Sequence, residues 1–417
     1  MKKYILLAAI IGICSFSVVH AQGDTAKSAA FDVAAATQKY LDMLSPAQKA
    51  KSDAYFEGGY WLILWNLLYT LVVGFIFLRL GMSRWIKKNA LKFKNINVQT
   101  LIYGLQYILL AWMLSFPMSV YQDFYREHQY NLSNLSFTGW LIEDLQGLGL
   151  ITLFGSILLV VLYIAIRRTG PRWWIWGAGI TIAFTIFVAF IAPVYLSPIF
   201  NDYKPLADGP LKQQILSLAR ANEIPAQNVY QFDASKQSDR VSANVSGFAS
   251  TTRISLNDNL LKRCTPAEIK SVMGHEMGHY VMNHVYKGIL EIGVLLFLSF
   301  AIVNWAFNKI VLRWGDSLSI SGIGDIAGLP LLAVIFAVLS FFTTPISNTL
   351  TRTQETEADM FGLNAAREPD AEAHVDIMLS EYRKLDPGYW EEVFFYDHPS
   401  GRRRVHMAMQ WKAENLK

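Results

Sequence analysis

The chain has 417 residues, of which 53% are hydrophobic and only 17% are charged. Soluble domains carry roughly 25% charged residues, so this composition indicates a membrane protein. The formal net charge is +4 and the basic residues are dispersed, which argues against a nucleic-acid-binding protein. Because Cys14 and Cys264 are the only cysteines, the chain forms neither a disulfide framework nor a thiolate metal cluster. Any metal site must therefore use histidine and carboxylate ligands.

The first 21 residues have a basic start, an apolar run and the small-residue pattern Val19-His20-Ala21. This pattern predicts a secretory signal peptide that is cleaved after Ala21. A retained first membrane helix is the competing interpretation, for which the apolar run is slightly short. Both interpretations send the chain from residue 22 onward across a membrane.

Six further apolar runs approach the ~20 residues that a helix needs to cross the hydrocarbon layer. They lie at residues 59–80, 101–120, 148–166, 173–197, 287–312 and 326–346. So many runs argue against a buried soluble core. We predict a mainly α polytopic membrane protein with six to seven transmembrane helices, in a bacterial inner membrane.

Two mainly polar segments flank the last two spans and together have the size of one compact domain. The predicted organisation is a membrane domain at 22–198, the first part of a split polar domain at 199–285, two further membrane helices at 286–350, and the second part of that domain at 351–417. Lysine and arginine concentrate in the loops around 84–94, 167–172 and 309–313. Since basic loops stay in the cytoplasm, the split domain is predicted to face the other compartment.

The stretch SVMGHEMGHYVMN contains candidate metal-binding and catalytic residues. Thr265, Pro266 and Glu268 form the pattern of a helix start with a capping box, so a helix is predicted from about 266 through 280. On that helix His275 and His279 are four residues apart and share one face, where two imidazoles can bind one Zn²⁺. Glu276 is rotated by about 100° from His275. It is therefore placed as a general base rather than as a ligand. Two core or capping histidines are the alternative interpretation.

A catalytic zinc usually has three protein ligands and one open position, so a third donor is required. The segment TRTQETEADMFGL supplies Glu355, Glu357 and Asp359. If this segment is helical, Glu355 and Asp359 share a face. We predict Glu355 as the third zinc ligand and Asp359 as the acceptor that orients a ligand histidine. The alternative interpretation of this acidic segment is a helix face that is exposed to solvent.

Other residues are placed around this predicted centre. His284 is nine residues after His275, so on a continuous helix it cannot reach the same metal, and we interpret it as structural or as a support for the ligands. The segment VSANVSGFASTTRISLNDNLL predicts a β-hairpin that turns at Gly247 and the Ser/Thr cluster. An exposed strand edge there can hold an extended substrate. An ordinary packing hairpin is equally compatible with the pattern.

These motifs resemble the integral-membrane zinc metalloproteases of the type I CAAX prenyl endopeptidase family. The resemblance covers most of residues 35–410 and includes SFPMSVYQDFYREHQYNLS, APVYLSPIFNDYKPL, GFASTTRISLNDNLL, HEMGHYVMNH, TRTQETEAD and HPSGRRR. It implies a ring of membrane helices around a large chamber, capped by the zinc domain. It also implies one zinc ion per chain, bound by His275, His279 and Glu355, with Glu276 as the base and Asp359 as a support.

By the same resemblance, His398, Pro399 and Arg404 match positions near the substrate and the oxyanion. The family's strand-lining Asn-Ala pair is displaced here, because Ser242 and Ala243 occupy its place, with Asn244 beside them. Eukaryotic members present the zinc chemistry to the cytosol, which is opposite to the side that the loop charges indicate.

The resulting hypothesis is a membrane-embedded zinc endopeptidase that acts on peptide or membrane-protein substrates at the lipid bilayer, without a nucleic-acid partner. The competing hypothesis is a non-catalytic scaffold or substrate-holding factor with a structural zinc. Structural zinc sites are closed by four protein ligands, whereas the sequence offers three. A transporter is a third hypothesis, but no pair of interrupted helices indicates inverted repeats.

Overall fold

Long apolar helices dominate the fold. The computed structural model describes residues 31–247 and 252–416, so the predicted signal peptide or first membrane helix at 1–21 lies outside the described residues. The α-helices are α1 Val33–Leu41, α2 Pro46–Leu78, α3 Met82–Ala90, α4 Ile96–Ser119, α5 Arg126–Gln129, α6 Phe137–Thr169, α7 Trp173–Ile191, α8 Ser197–Phe200, α9 Pro210–Ala221, α10 Asp258–Arg263, α11 Pro266–Val281, α12 His284–Leu318, α13 Leu329–Ala366, α14 Pro369–Leu379, α15 Tyr389–Phe395 and α16 Gly401–Asn415.

Five helical segments of the described residues are long and apolar enough to cross a membrane. They are Pro46–Leu78, Ile96–Gln129, Phe137–Phe200, His284–Leu318 and Ile326–Ala366. The third segment has 64 residues and contains both α6 and α7, which are joined by the short 3₁₀ turn Gly170–Arg172 and pack against each other. A membrane crossing takes ~20 helical residues, so this segment supplies two spans. The described residues therefore contain six candidate membrane helices, which is the lower of the two predicted counts.

The predicted spans mark the apolar centres of longer helices. The first run was predicted from residue 59, whereas α2 begins at Pro46, where Ser45 forms a capping box with Gln48. The last run was predicted to end at residue 346, whereas α13 continues as one helix to Ala366. The acidic segment TRTQETEADMFGL is therefore the end of a membrane helix rather than the beginning of a separate element.

A small mixed sheet lies in the polar part of the chain. Its strands are β1 Tyr203–Pro205, β2 Val229–Phe232, β3 Ala243–Ser246 and β4 Arg253–Asn257, in the order β1-β2-β4-β3. The predicted hairpin is present, because β3 pairs antiparallel with β4 with Ala243 opposite Leu256. Gly247 leaves β3 with a φ of 96°, a conformation that glycine adopts without strain. β3 forms one edge of this sheet.

The core has three parts. One lies among the membrane helices around Phe77 and Tyr103, both fully buried. A second lies between the sheet, α9 and α11 and includes Ile254 and Met273. The third joins α1, α14 and α16 around Val405. The second and third cores hold α11 and α14 in place, and these helices border the metal centre described below.

Glycines allow α11 and α13 to pack with their backbones in contact. A Cβ atom added at Gly362 would lie 2.9 Å from the backbone nitrogen of His275, and one at Gly278 would lie 3.1 Å from Ala358 Cα. A Cβ at Gly274 would likewise lie 3.1 Å from the carbonyl oxygen of Gly362. Larger residues at these positions would push the two helices apart. The close packing brings the side chains of HEMGH and ETEAD together.

Candidate metal centre

The HEMGH helix begins as the sequence predicts. Thr265 caps α11 by accepting a hydrogen bond from the backbone of Glu268, and Glu268 accepts in return from the backbone nitrogen of Thr265 at 2.6 Å. Pro266 occupies the first helical position, where its missing N–H costs nothing. The helix ends at Val281, and Asn283 follows in the left-handed conformation with a φ of 58°. Asparagine tolerates this conformation better than most residues, so the chain turns sharply there.

Three potential metal ligands converge between α11 and α13. The Nε2 atoms of His275 and His279 are 3.1 Å apart, and they lie 3.3 and 3.5 Å from the two carboxylate oxygens of Glu355. Ligands at about 2.0–2.1 Å from a tetrahedral zinc are separated by about 3.3–3.4 Å. The three side chains therefore fit the geometry of a zinc site.

The environment of Glu355 also fits a bound cation. Its Oε2 atom is buried and receives no hydrogen bond from the described residues. A buried, unpaired carboxylate oxygen is costly unless a positive charge lies beside it. Within the described part of the chain, His275, His279 and Glu355 form the one group of three metal-ligating side chains whose donor atoms all lie within 4.8 Å.

A carboxylate orients His275 through Nδ1, the ring nitrogen that does not face Glu355 and His279. Its Nδ1 lies 2.8 Å from Oδ1 of Asp359, whose side chain is almost completely buried. If Nδ1 donates its hydrogen to Asp359, the Nε2 lone pair points toward Glu355 and His279. Glu355 and Asp359 are one turn apart on α13, which places both on the buried face.

Asp359 is in turn held by Arg404. The guanidinium donates to both Asp359 oxygens at 2.9 and 2.5 Å, and a third nitrogen lies 2.9 Å from Asp376. Burial lowers the pKa of Arg404, but these carboxylates and Glu372 outweigh burial and raise it well above its usual value. The structure therefore places Arg404 behind His275, through Asp359. The predicted proximity of Arg404 to the oxyanion stays a prediction.

His279 contacts His284, which the sequence analysis interprets as structural or as a support for the ligands. His284 begins α12, and its Nδ1 lies 2.9 Å from Nδ1 of His279. Its Nε2 lies 3.0 Å from Glu357, which also binds Lys287. The turn at Asn283 makes this contact possible, because α11 and α12 are not one continuous helix. In the sequence, the indication of this turn is Asn283 directly before His284, because asparagine tolerates the left-handed conformation.

Glu276 lines a cavity of about 220 Å³ together with His275 and His398. Burial raises the pKa of the Glu276 carboxyl, although His275 and His279 pull it in the opposite direction. A carboxyl group with a raised pKa is better suited to accept and return a proton near neutral pH. The cavity is also lined by Ser242 and Ala243 at the start of the edge strand β3, whereas Asn244 is not among its lining residues.

His398 approaches the centre from the segment before α16. Its Nε2 lies 3.3 Å from Oε2 of Glu355, and its Nδ1 lies 2.8 Å from Asp397. His398 is not a member of the described three-residue group. That group offers three donors, which is the number of protein ligands that a catalytic zinc usually has.

Three candidate ligands, a half-buried glutamate and a cavity beside them, together with a membrane-helix bundle, indicate a membrane metalloprotease. Comparison with known proteins leads to the same class. Residues 205–412 match peptidase family M48, and residues 32–202 match the family described as CAAX prenyl protease N-terminal, five membrane helices.

Relatives that match over most of their length also include metalloproteases and CAAX prenyl proteases. The uncharacterized metalloprotease YhfN of Bacillus subtilis is 29% identical over 370 residues, which cover 88% of this chain and 86% of that protein. CAAX prenyl protease 1 of Saccharomyces cerevisiae is 25% identical over 324 residues, which cover 74% and 71% of the two proteins. The crystal structure of S. mikatae Ste24p has a similar fold, with a TM-score of 0.73 over 90% of this chain and 94% of that chain, at 22% identity. The chain belongs to the CAAX prenyl protease-type membrane metalloproteases of peptidase family M48. This membership implies a metal cofactor.

Proposed function

We propose that this multi-pass membrane protein is a zinc endopeptidase in which His275, His279 and Glu355 bind the metal and Glu276 is the general base. The convergence of these three donors beside the half-buried Glu276 carries the proposal. The donor set of two imidazoles and one carboxylate is typical of catalytic zinc sites in peptidases. The competing scaffold hypothesis needs a fourth protein ligand, and no described residue supplies one.

Each residue of the proposed site has a separate role in the reaction. A zinc ion held by His275, His279 and Glu355 would lower the pKa of a bound water and polarise the scissile carbonyl. Glu276 accepts a proton from the attacking water, whose oxygen bonds to the carbonyl carbon, and then donates the proton to the amine as the C–N bond breaks. His398 is positioned to donate a hydrogen bond to the oxygen that gains negative charge. Asp359, held by Arg404, keeps His275 in the ligating tautomer.

The substrate is proposed to be an extended segment of a peptide or membrane protein. β3 is an edge strand, so its outer backbone groups are free to pair with an added strand. Val241, Ser242 and Ala243 bring the beginning of this strand to the wall of the cavity that contains His275 and Glu276. A bound strand would therefore pass directly beside the metal ligands.

The test is metal content together with peptide cleavage in detergent. Wild-type protein is expected to contain one zinc per chain and to cleave unstructured peptides, to lose cleavage on treatment with a chelator, and to regain it with Zn²⁺. Glu355→Ala removes one of three ligands and should reduce both zinc content and cleavage to background. Elemental analysis and a fluorogenic peptide assay measure the two quantities. Stoichiometric zinc with no cleavage of any peptide would favour the scaffold.

We also propose that the metal centre faces the non-cytoplasmic side of the membrane. The ends of the membrane helices opposite the centre carry the basic residues, including Lys87, which pairs with Asp325 at 2.7 Å, and Arg167, which donates to Thr100. The helix termini next to the centre are richer in acidic residues, such as Glu127 and Glu143. Basic loops are retained in the cytoplasm, so the opposite ends project away from it.

Reporter fusions after residue 417 test the orientation. Alkaline phosphatase folds only outside the cytoplasm and green fluorescent protein fluoresces inside it. We expect an active phosphatase fusion and a dark fluorescent fusion, with the reverse pattern for fusions placed after Leu91, at the basic end. A fluorescent fusion at the C-terminus would contradict the proposed side and leave the proposed chemistry untouched.

A further inference from the structure

Arg383 is an arginine beside the metal centre that has no ionic partner. It lies between α14 and α15, is half-buried, and its guanidinium carbon lies 5.9 Å from the ring centroid of Tyr382. Across residues 31–247 and 252–416 it forms no ion pair and no side-chain hydrogen bond. Its neighbour Lys384, in contrast, binds both Glu57 and Glu391. A guanidinium offers five donors in a planar fork that suits a carboxylate, and here that capacity is unused.

The position of Arg383 connects two cavities. It lines the cavity of about 220 Å³ that contains His275 and Glu276, and it also lines an adjoining cavity of about 410 Å³. Tyr382 is the other residue that both cavities share. A peptide that reaches from the metal centre into the larger cavity must therefore pass the Arg383 side chain.

The charged residues of the larger cavity leave the Arg383 guanidinium without a hydrogen bond, although Asp397 acts on it electrostatically. Three arginines and one aspartate line it: Arg126, Arg240, Arg383 and Asp397. Arg126 and Arg240 already donate hydrogen bonds to other parts of the chain. Asp397 is bound to His398 at 2.8 Å. The cavity thus has a net positive charge, and the one guanidinium that remains available is that of Arg383. A charge in such a partly enclosed site attracts an anion more strongly than it would in bulk water.

We propose that Arg383 binds a carboxylate of the peptide substrate and thereby determines which peptides are held across the metal centre. This inference rests on the proposed peptidase function and adds a specificity residue to it. The carboxylate belongs either to the free C-terminus of the substrate or to an aspartate or glutamate side chain. Both present two oxygens to the guanidinium fork in the same bidentate manner.

The test uses three fluorogenic peptides that share one neutral core sequence. The first has a free C-terminal carboxylate, the second a C-terminal amide, and the third an amide with one added glutamate. Wild type is compared with Arg383→Gln, with Arg383→Lys, and with the control Arg402→Gln. Arg402 is a neighbouring exposed arginine that pairs with Asp386 at 2.8 Å and does not line either cavity.

We expect Arg383→Gln to raise KM for the recognised carboxylate peptide by about tenfold to a hundredfold, with kcat changed less than about threefold. Cleavage of the neutral amide peptide should stay the same, and Arg383→Lys should restore part of the preference, because lysine keeps the charge but loses the fork. An effect confined to the free C-terminus identifies that group, and an effect confined to the glutamate peptide identifies the side chain.

Equal losses for all three peptides would assign Arg383 a structural role and overturn the proposal, as would an unchanged carboxylate preference or the same loss in Arg402→Gln. Failure of the peptidase hypothesis is detected separately, by the absence of cleavage in wild type. In that case, fluorescence anisotropy of the labelled carboxylate peptide compares Glu276→Gln with Glu276→Gln/Arg383→Gln. Equal affinities in these two proteins would also overturn the assignment.

Discussion

Glu276→Gln is expected to retain one zinc per chain and to lower kcat by about three orders of magnitude, because general bases contribute about 10²–10⁴-fold. The amide keeps the shape of the side chain and leaves His275, His279 and Glu355 in place, but it cannot accept a proton. The measurement is single-turnover cleavage of a fluorogenic peptide together with elemental analysis of the same sample.

The matched control is Glu414→Gln, since Glu414 lies at the exposed end of α16, where it accepts from Gln410. This variant should cleave as wild type does. Glu276→Gln protein with undiminished cleavage would show that another group removes the proton. Glu276→Gln protein without zinc would show that Glu276 supports the metal rather than the proton transfer.

Gly362→Val is expected to abolish both stoichiometric metal binding and cleavage. The added Cβ would lie 2.9 Å from the backbone nitrogen of His275, and neither backbone can rotate away as a flexible side chain would. The overpacking costs about 1–3 kcal/mol, and it separates the histidine pair from Glu355. Zinc affinity measured by competition with a chromogenic chelator should fall, and the melting temperature in detergent should decrease.

Gly147→Ala is the control for this helix-packing prediction. Gly147 lies within α6, and a Cβ atom added there meets no heavy atom within 4 Å. Alanine is the better helix former by about 1 kcal/mol, so this variant should bind zinc and cleave as wild type does. Normal zinc affinity in Gly362→Val would mean that the two helices can separate without displacing the donors, and the packing argument would be wrong.

The sequence predicts the features that depend on local spacing. The capping box before Pro266, the shared face of His275 and His279, and the apolar spans all follow from helical periodicity, and the structure has each of them. The exact ends of the spans could not be predicted, because α2 continues through Gly58 and Gly59 and α13 continues through Pro345, which are residues that usually interrupt a helix.

The sequence predicts Asp359 as a support for a ligand histidine and His284 as structural or a support, but their contact partners could not be predicted, because these contacts depend on packing between distant segments. Arg404 reaches Asp359 across 45 positions in the chain, and His284 reaches His279 only because Asn283 interrupts the helix. No spacing rule connects such residues. Arg383 carries no motif at all, and its lack of a partner becomes visible only when all the surrounding side chains are placed.

The last membrane helix also contains the proposed metal ligand Glu355, and this dual role constrains how the protein can change. In α13 the side chains that pack in the membrane and the carboxylate of Glu355 belong to one uninterrupted helix. Each residue inserted between them would rotate one set against the other by about 100° and separate them by about 1.5 Å. The rotation about the helix axis between the lipid-facing side and the metal-facing side is therefore fixed. Adaptation to a thicker membrane has to lengthen α13 at its Leu329 end, far from Glu355.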